Sequence, residues 1–322
     1  MLHVAAHSIN ALHYLTNFMQ RIIVIGVLLL YTPIMNACNV CGCSAMSSSP
    51  GILPNFRTHF IGFRESHKTI HIEHPVSLLN PESQKSTESF ASTELWGRWY
   101  PHQRLQVFGF MPFNRLSRTV NEQTISKAGF GDLSIMVNYL VFNTGDSIDR
   151  NVKQALLLGS GVKLKTGKFN PEESAGFQIG SGSRDWQLFA SHTLRYQQIG
   201  MLNELSYRLP GLNPQGYQFG NRLIYSVKAF YWSKIKNLTV LPHIGYAYEN
   251  AQADHLNSIR QSKTGSEILS AGVGVDLYYK DFSLGCNAYQ PFKQNINAGQ
   301  VSESYRIQIN LIYNFKTSSK CN

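Results

Sequence analysis

The sequence predicts an all-β protein, a transmembrane antiparallel up-and-down β-barrel of about 12 strands that spans residues 54–315. The first observation is alternation: residues 305–315 read YRIQINLIYNF, in which apolar and polar side chains take turns, with Ile312 as the exception. Such a strand has one apolar and one polar face. Two further observations, the composition and the lengths of the connections, decide whether the apolar face meets a protein core or lipid.

The composition favours a membrane barrel. Charged residues make up 15% of the 322 residues, aromatic residues make up 12%, and there are 16 Tyr and 18 Phe. Soluble domains carry about 25% charged residues, whereas outer-membrane barrels combine low charge with many aromatic side chains. The formal net charge is +10, but Lys and Arg are scattered through strand-like segments instead of forming a basic run. We therefore expect outer-membrane lipid and a small-molecule solute as partners, and no nucleic acid.

The N-terminus is typical of an export signal. Arg21 precedes the apolar stretch IIVIGVLLLY at 22–31, and a short polar region follows that ends at Ala37. This pattern predicts a cleaved signal peptide, with Met19 as a candidate true start, and the apolar stretch is too short to cross a bilayer as a helix. We expect export to the cell outer membrane of a Gram-negative type bacterium. The predicted parts of the chain are a signal peptide at 1–37, a Cys-rich periplasmic segment at 38–53, the barrel at 54–315 and a C-terminal tail at 316–322.

Alternation and turn residues predict twelve strands, at about 54–65, 88–100, 104–113, 129–142, 153–165, 184–197, 201–209, 217–232, 237–249, 265–279, 281–290 and 301–315. The predicted short connections are 101–103, 198–201, 233–236 and 280–281. The predicted long connections are 65–87, 114–128, 166–183, 210–216, 250–264 and 291–300. Only 143–152 breaks the alternation of short and long.

This asymmetry decides which way the apolar face points. With the N-terminus in the periplasm, every short turn falls on the periplasmic side and every long loop lies outside, as in outer-membrane barrels. An even number of strands also allows closure, which leaves no exposed sheet edge. The apolar face is therefore expected to meet lipid. Two local features are less regular: Pro242 lacks a ladder donor and predicts a bulge, and Phe108 and Phe110 lie in a segment that is apolar on both faces. Inward-facing rings there predict either a constricted lumen or an apolar floor of the barrel.

Charged residues of the opposite parity are expected to line the lumen. The candidates are Glu94, Lys163, Lys165, Arg195, Arg222, Lys228, Asp276 and Arg306, joined by Glu249. Because bases outnumber acids in this set, the lumen would attract anionic solutes. The alternative is that these charges pair with acids across the barrel and only keep the interior polar. The sequence leaves both interpretations open.

Cys38, Cys41 and Cys43 form a Cys-x-x-Cys-x-Cys cluster. Three thiols this close suit Cu(I) or Zn, since thiolates are preferred ligands of both metals. A disulfide in the oxidising periplasm, lipidation of Cys38 and removal with the signal peptide are the alternatives. If the cluster binds metal, a periplasmic metal or redox partner is expected.

Three other patterns carry weaker signals. His67, His71 and His74, with Glu65 and Glu73, fall in the predicted first outer loop and either ligate a metal or are incidental, solvated side chains. Adjacent Ser191 and His192 point to opposite faces of a strand and cannot form a nucleophile–base pair. The Gly-rich stretch at 159–168 lacks the spacing of a phosphate loop. No catalytic residues are predicted, and the chain is not expected to be an enzyme.

Several segments resemble a family of Bacteroidota-type outer-membrane β-barrel "transporter" proteins with an N-terminal CxxCxC, related to the barrel proteins of phenol-degradation meta-pathway operons. These are CNVCGCS (38–44), GILPNFRTHFIGFR (51–64), TELWGRWYPHQRLQVFGFMPFN (93–114), GFGDL (129–133) and KQALLLGSGVKLKTGKF (153–169). The resemblance covers most of residues 38–315. It implies an outer-membrane barrel that acts as a small-molecule channel, and it supplies no catalytic residues.

The functional expectation is a monomeric outer-membrane β-barrel channel or transporter for a small solute of anionic character. The alternative is a non-conducting barrel that acts as a metal- or redox-linked scaffold or sensor through its Cys cluster. A continuous polar path through the lumen would favour the first, and an interior filled by Phe108, Phe110 and their neighbours would favour the second.

Overall fold

The structure is a computed structural model, and it describes residues 58–74, 84–144, 151–173 and 176–315. The predicted signal peptide, the Cys cluster and the C-terminal tail lie outside these residues. Among the described residues, no helix is long and apolar enough to cross a membrane.

The described residues form seventeen β-strands and one short 3₁₀ turn, Asn297–Gly299. The strands are β1 (His59–His74), β2 (Gln84–His102), β3 (Leu105–Val120), β4 (Gln123–Phe130), β5 (Ser134–Asn143), β6 (Val152–Lys163), β7 (Asp185–Tyr196), β8 (Ile199–Leu209), β9 (Tyr217–Gln218), β10 (Arg222–Tyr231), β11 (Ser233–Ile235), β12 (Leu238–Ala251), β13 (His255–Leu256), β14 (Ile259–Arg260), β15 (Ser266–Tyr279), β16 (Phe282–Ile296) and β17 (Val301–Phe315).

Twelve of these strands close into an antiparallel barrel. Around the ring they are β1, β2, β3, β5, β6, β7, β8, β10, β12, β15, β16 and β17, with β17 paired to β1 and β12 paired to β10. The predicted fold class, strand number and up-and-down order are therefore confirmed. Strand β4 pairs with the outer half of β3, and β9, β13 and β14 form a small separate sheet.

The connections divide into two ends. At the end that holds both barrel termini, here called the turn end, two-residue turns connect strands at 103–104, 197–198, 236–237 and 280–281. Gln197, Lys236 and Lys280 have positive φ values of 51°, 53° and 51° there, as tight hairpin turns require. The opposite end, here called the loop end, carries the longer connections, so the predicted asymmetry is present.

Three predicted long loops are mostly strand, which corrects their predicted bounds. Strand β1 continues through His67 and His71 to His74, β3 and β4 meet at a two-residue turn, and β16 extends to Ile296. The outward faces of these extensions are polar, as in a loop, so alternation does not reveal them, although inward residues such as Ile70, Ile72 and Leu116 are buried. Backbone pairing nevertheless continues, for example between His71 and Thr87.

The bulge predicted at Pro242 is wrong. Strand β12 stays in register with β15 through Leu241, Pro242 and His243. On the other side, pairing stops after His243 opposite Phe230 and resumes at Val240 opposite Ser233 in the same register. The missing N–H of proline thus interrupts the ladder and separates β10 from β11 without inserting a residue.

The two faces of the barrel have the predicted polarity. On β17, Tyr305, Ile307, Ile309, Leu311, Tyr313 and Phe315 are exposed, whereas Arg306, Gln308, Ile312 and Asn314 are buried. Exposed aromatic side chains also gather near the turn end, among them Trp99, Tyr196, Tyr231, Tyr279 and Phe282. An apolar exterior with an aromatic girdle at the membrane interface is the architecture of outer-membrane barrels. The predicted outer-membrane location follows from this architecture.

Candidate functional site in the barrel interior

The turn end of the interior holds a packed apolar cluster, here called the aromatic floor. Its members are Phe60, Trp96, Phe108, Phe110, Met136, Phe189 and Ile312, all at most 6% exposed. Phe60 meets Trp96 edge-on at 4.6 Å between ring centroids, and Phe108 stacks on Phe110 at 6.0 Å. Phe108 and Phe110 therefore point inward and pack with neighbouring rings inside the barrel.

Arg64 separates the aromatic floor from the polar interior above it. Its guanidinium lies 4.0 Å above the Trp96 ring, and its Nη1 is 3.3 Å from Glu94 Oε2. Both residues are almost fully buried. The cation–π contact with Trp96 and the ion pair with Glu94 both stabilise the buried charge of Arg64 at the boundary between the two regions.

A second apolar cluster lies at the same end on the other side of the barrel. Leu202, Phe230 and Leu241 are buried, and Trp232 packs against them. The guanidinium of Arg195 sits 4.4 Å from the centre of the Trp232 ring. Within the described part of the chain, Arg195 thus contacts an aromatic face near the turn end and forms no ion pair with a carboxylate.

Charged pairs occupy the middle of the interior. Arg306 binds Glu303, with Nη2 2.8 Å from Oε2, and also binds Glu249. Lys228 Nζ lies 3.7 Å from Glu204 Oε2. All five side chains are buried. Because an unpaired buried charge costs several kcal/mol, about 3–5 when one partner is removed, these pairs are fixed parts of the interior.

A histidine completes this layer. His243 on β12 lies 2.8 Å from Asn287 Oδ1 through Nε2 and 3.9 Å from Asp276 Oδ2 through Nδ1. Asp276 is one of the predicted lumen residues, but the sequence analysis did not single out His243. Its position between the exposed Pro242 and Ile244 follows the same alternation, which could have identified it.

The described residues of the connection between β6 and β7, 164–173 and 176–184, fold into the loop end of the barrel. Phe177 and Ile179 are 4% and 6% exposed, and they pack in one cluster with barrel residues such as Ile70 and Phe90. Asn114 Nδ2 donates to the carbonyl of Ile179 at 3.0 Å. We call residues 164–184 the inward connection. It narrows the interior from the loop end as the aromatic floor does from the turn end.

Asp132 fixes the inward connection to the barrel wall. Its Oδ1 accepts the backbone N–H of Gly167 at 2.9 Å, and its Oδ2 accepts the N–H and hydroxyl of Ser181 at 2.8 and 2.7 Å. Lys163 Nζ lies 3.3 Å from the same carboxylate and 2.8 Å from Asp185 Oδ2. One carboxylate thus holds both ends of the inward connection and a lysine.

Glycines allow this close approach. A Cβ on Gly180 would lie 2.6 Å from the carbonyl carbon of Gly167, and a Cβ on Gly167 would lie 2.8 Å from that of Gly131. Contacts below about 3 Å are not tolerated, so the backbones can cross only where side chains are absent. Gly131 and Asp132 belong to the GFGDL segment at 129–133, and Gly167 belongs to the Gly-rich stretch at 159–168. These two segments therefore mark where the inward connection crosses the barrel wall.

A cavity of about 60 Å³ opens at the loop end of the interior, beside the inward connection. The side chains that define it include Lys163, Asp185, Arg208, Arg222, Asp254 and Asn297. Arg208 and Arg222 are directly opposite each other on β8 and β10. We call this space the loop-end cavity.

The eight predicted lumen residues divide into four groups. Glu94, Lys228, Asp276 and Arg306 are buried in the interior. Lys163 and Arg222 line the loop-end cavity. Arg195 packs on Trp232. Lys165 follows the end of β6 and is exposed, so it does not lie on the strand that was predicted to carry it.

Sequence reasoning missed Arg64, Asp132 and Arg208. Arg64 shares the parity of Phe60 and could have been found by extending the alternation of β1. Asp132 follows a strand break, where alternation gives no direction. Arg208 lies at the end of β8 with Ser206 and Glu204 on its face, a signal that was present in the sequence.

The predicted metal sites have different outcomes. Cys38, Cys41 and Cys43 lie outside the described residues, so metal binding there stays a prediction. His67 and His71 lie on β1, where His71 contacts Thr87 through Nδ1 at 3.1 Å. Within the described residues, no group of three or more His, Cys, Asp or Glu is arranged to hold a metal ion.

The fold is similar to that of a solved outer-membrane channel from Pseudomonas putida F1. The TM-score is 0.64 at 13% sequence identity, over 83% of this chain and 99% of the other. At this identity the likeness shows the fold: the chain is a β-barrel of the outer-membrane class.

Weaker likenesses extend to autotransporter domains. The β domain of the Bordetella autotransporter BrkA gives a TM-score of 0.48 at 10% identity, over 80% of this chain and 100% of the other. The translocator domain of NalP from Neisseria meningitidis gives 0.40 at 9% identity, over 81% and 90%. These scores are too low to support any argument about function. No protein-family model matches the sequence, and no curated protein matches it.

Proposed function

We propose that this protein is an outer-membrane channel for small solutes, with a preference for anions. The observation that carries the proposal is the uneven distribution of charge inside the barrel. Acids pair with Arg306, Lys228 and Lys163, whereas the loop-end cavity presents Arg208 and Arg222 together. A positive potential at one mouth of a narrow pore favours entry of anions.

The fold supports this proposal. A solved barrel with the same architecture is an outer-membrane channel, and the finer resemblance to Bacteroidota-type transporters points the same way. Passage through this barrel would have to go past the aromatic floor and the inward connection. The proposal is therefore for a narrow channel that opens by movement of one of these two parts, and not for a wide water-filled pore.

The test is conductance of the full chain, purified from outer membranes and reconstituted in a planar bilayer with a salt gradient. Discrete openings with a reversal potential on the anion side would support the proposal. Openings that favour cations would overturn the anion preference. A barrel that shows the heat-modifiable gel mobility of a folded protein, but never conducts, would overturn the channel.

The second candidate is a non-conducting barrel that works through Cys38, Cys41 and Cys43 as a metal- or redox-linked scaffold or sensor. The filled aromatic floor favours it, since four rings occupy the interior around Trp96. Retention of Cu(I) or Zn by the purified protein, lost when the three cysteines are changed to serine, would support this candidate. Equal metal content in both proteins would contradict it.

Enzymatic activity is not part of the proposal. Ser191 is buried in the interior and its neighbour His192 lies on the opposite face of β7. A nucleophile and its base need hydrogen-bond distance, which opposite faces of one strand do not provide.

A further inference from the structure

We propose that Arg208 and Arg222 form a binding site for one small oxyanion, a carboxylate or a phosphate group, in the loop-end cavity. This inference rests on the proposed function and deepens it, because it assigns the anion preference to two particular side chains.

The register brings the two arginines together. Residues Arg222 and Arg208 are direct cross-strand partners on β10 and β8. Their strand positions have the parity of Lys228 and Glu204, which are buried in the interior, so both side chains belong to the inward face. Direct cross-strand neighbours have Cβ atoms about 4.5–5.5 Å apart, and like charges in that arrangement destabilise the sheet.

The nearby carboxylates are already bound by other groups. Asp185 is 2.8 Å from Lys163, and Glu249, two residues from the partner of Arg222, binds Arg306. Among the described residues, neither Arg208 nor Arg222 makes an ion pair or a hydrogen bond. Glu94 near Arg208, and Glu249 and Asp254 near Arg222, offset the repulsion between the two guanidinium groups only through longer-range attraction.

Asp254, the remaining acid of the cavity, also has other partners. Its Oδ1 accepts the N–H of Gly220 at 2.8 Å, and its other oxygen accepts the hydroxyl of Tyr217. Burial raises the pKa of the Asp254 carboxyl, against the opposing effects of the Tyr217 hydrogen bond and the Arg222 charge. Both carboxylate oxygens of Asp254 thus already accept hydrogen bonds from groups other than the arginines.

A further polar group at the cavity lacks a partner. Asn297 is 2% exposed and lines the cavity, and its Nδ2 has no hydrogen-bond partner. A buried amide donor without an acceptor destabilises the folded chain. An anion in the cavity would supply acceptor oxygens to this side of the barrel as well as to the arginines.

The chemistry and the size fit an oxyanion. Guanidinium groups bind carboxylate and phosphate through two parallel N–H···O bonds, and two of them side by side match a doubly charged group. A cavity of about 60 Å³ has room for several water molecules or for one such group.

The test is isothermal titration calorimetry on the full chain in detergent, with inorganic phosphate and acetate titrated separately at constant ionic strength. We expect saturable binding of one anion per chain. A response to phosphate alone assigns a phosphate site, and a response to acetate assigns a carboxylate site. No saturable heat with either anion overturns the proposal, and this result needs only the wild-type protein.

Variants assign the site to the arginines. R208Q and R222Q are each expected to weaken the affinity at least tenfold, while R208K, which keeps the charge but loses the planar fork, is expected to fall between R208Q and wild type. R104Q changes an exposed arginine at the turn end and is expected to bind like wild type. Equal affinity of R208Q, R222Q and wild type would contradict the proposal.

The outcome is separable from that of the proposed function. Binding in detergent does not require conduction. A barrel that binds phosphate or acetate but never conducts retains this site and loses the channel. A barrel that conducts anions but binds neither probe retains the channel and loses this site.

Discussion

The two ends of the barrel interior differ in how their side chains are satisfied. At the turn end, Phe60, Trp96, Phe108 and Phe110 fill the space with rings, and Arg64 closes the layer by stacking on Trp96. At the loop end, Arg208 and Arg222 face each other beside a cavity, and Asn297 has an amide donor without a partner.

This difference separates two tasks in one barrel. A densely packed cluster gains stability from buried apolar area and leaves no room for a ligand. Arginines that make no ion pair destabilise the folded protein while the cavity is empty, and they gain interactions when an anion binds. In the proposed channel, the turn end would limit the width of the interior and the loop end would select the solutes that enter it.

The largest expected effect is at the aromatic floor. Phe108 is 0% exposed, and F108A removes a ring from a packed cluster, so we expect the free energy of unfolding to fall by about 3–5 kcal/mol. If the floor limits passage, single-channel conductance is also expected to rise. Urea unfolding in lipid vesicles measures the first quantity, and bilayer recording measures the second.

Phe63 provides the matched control. It lies on the exterior face of β1 and is 57% exposed, so F63A removes the same ring without touching the interior. We expect its conductance to equal that of wild type. A conductance in F108A equal to that of F63A would show that the aromatic floor does not restrict passage.

A smaller effect is expected at the inward connection. D132N removes the charge that accepts the N–H groups of Gly167 and Ser181. Hydrogen bonds to charged groups contribute about 1.5–3 kcal/mol, so the inward connection is expected to open more often. Amide hydrogen exchange of Gly167 and Ser181 should become faster, and the conductance should become noisier.

D281N, at an exposed turn-end aspartate, is the control for the loss of one negative charge. Unchanged protection of Gly167 and Ser181 in D132N would show that packing of Phe177 and Ile179 alone holds the inward connection.

Alternation in the sequence was enough to predict the barrel, because the lipid-facing and interior residues of strands such as β17 differ in polarity at every step. It failed where both faces have the same character. Phe108 could not be oriented from RLQVFGFMPF, because only its pairing with Met136 and Arg98 fixes its face. Beyond the apolar band the outward faces of the strands are polar, and for that reason His67 and His71 were assigned to a loop.

The candidate site was predictable only in part, for a different reason. Parity placed Arg222, Lys228 and Arg306 on the interior face, but it does not say which charges pair. Arg306 binds Glu249, 57 positions away along the chain, and such partners depend on register across several strands. The arrangement of Arg208 opposite Arg222 and the folding of the inward connection into the barrel likewise depend on the closed structure.

The smallest expected effect concerns pH and again involves the inward connection. Hydrogen bonding from Lys127 lowers the pKa of the Glu173 carboxyl, with a further contribution from Asn170, whose Nδ2 is 3.1 Å away. Because the pKa in the folded protein lies below its usual range, this contact stabilises the inward connection above the ordinary carboxyl pKa. That contribution is lost as the pH falls through the lowered value.

Glu173 is partly exposed, so screening by solvent keeps the effect small. We expect amide exchange of the inward connection, corrected for the intrinsic pH dependence of exchange, to become faster as the solution is acidified below the usual carboxyl range. E173Q should exchange faster than wild type at neutral pH and should lose this acid-dependent increase. E172Q changes the neighbouring exposed acid and should keep it. If E173Q and wild type respond to acid alike, the pH dependence arises from other groups. The contact of Glu173 with Lys127 then does not control the stability of the inward connection.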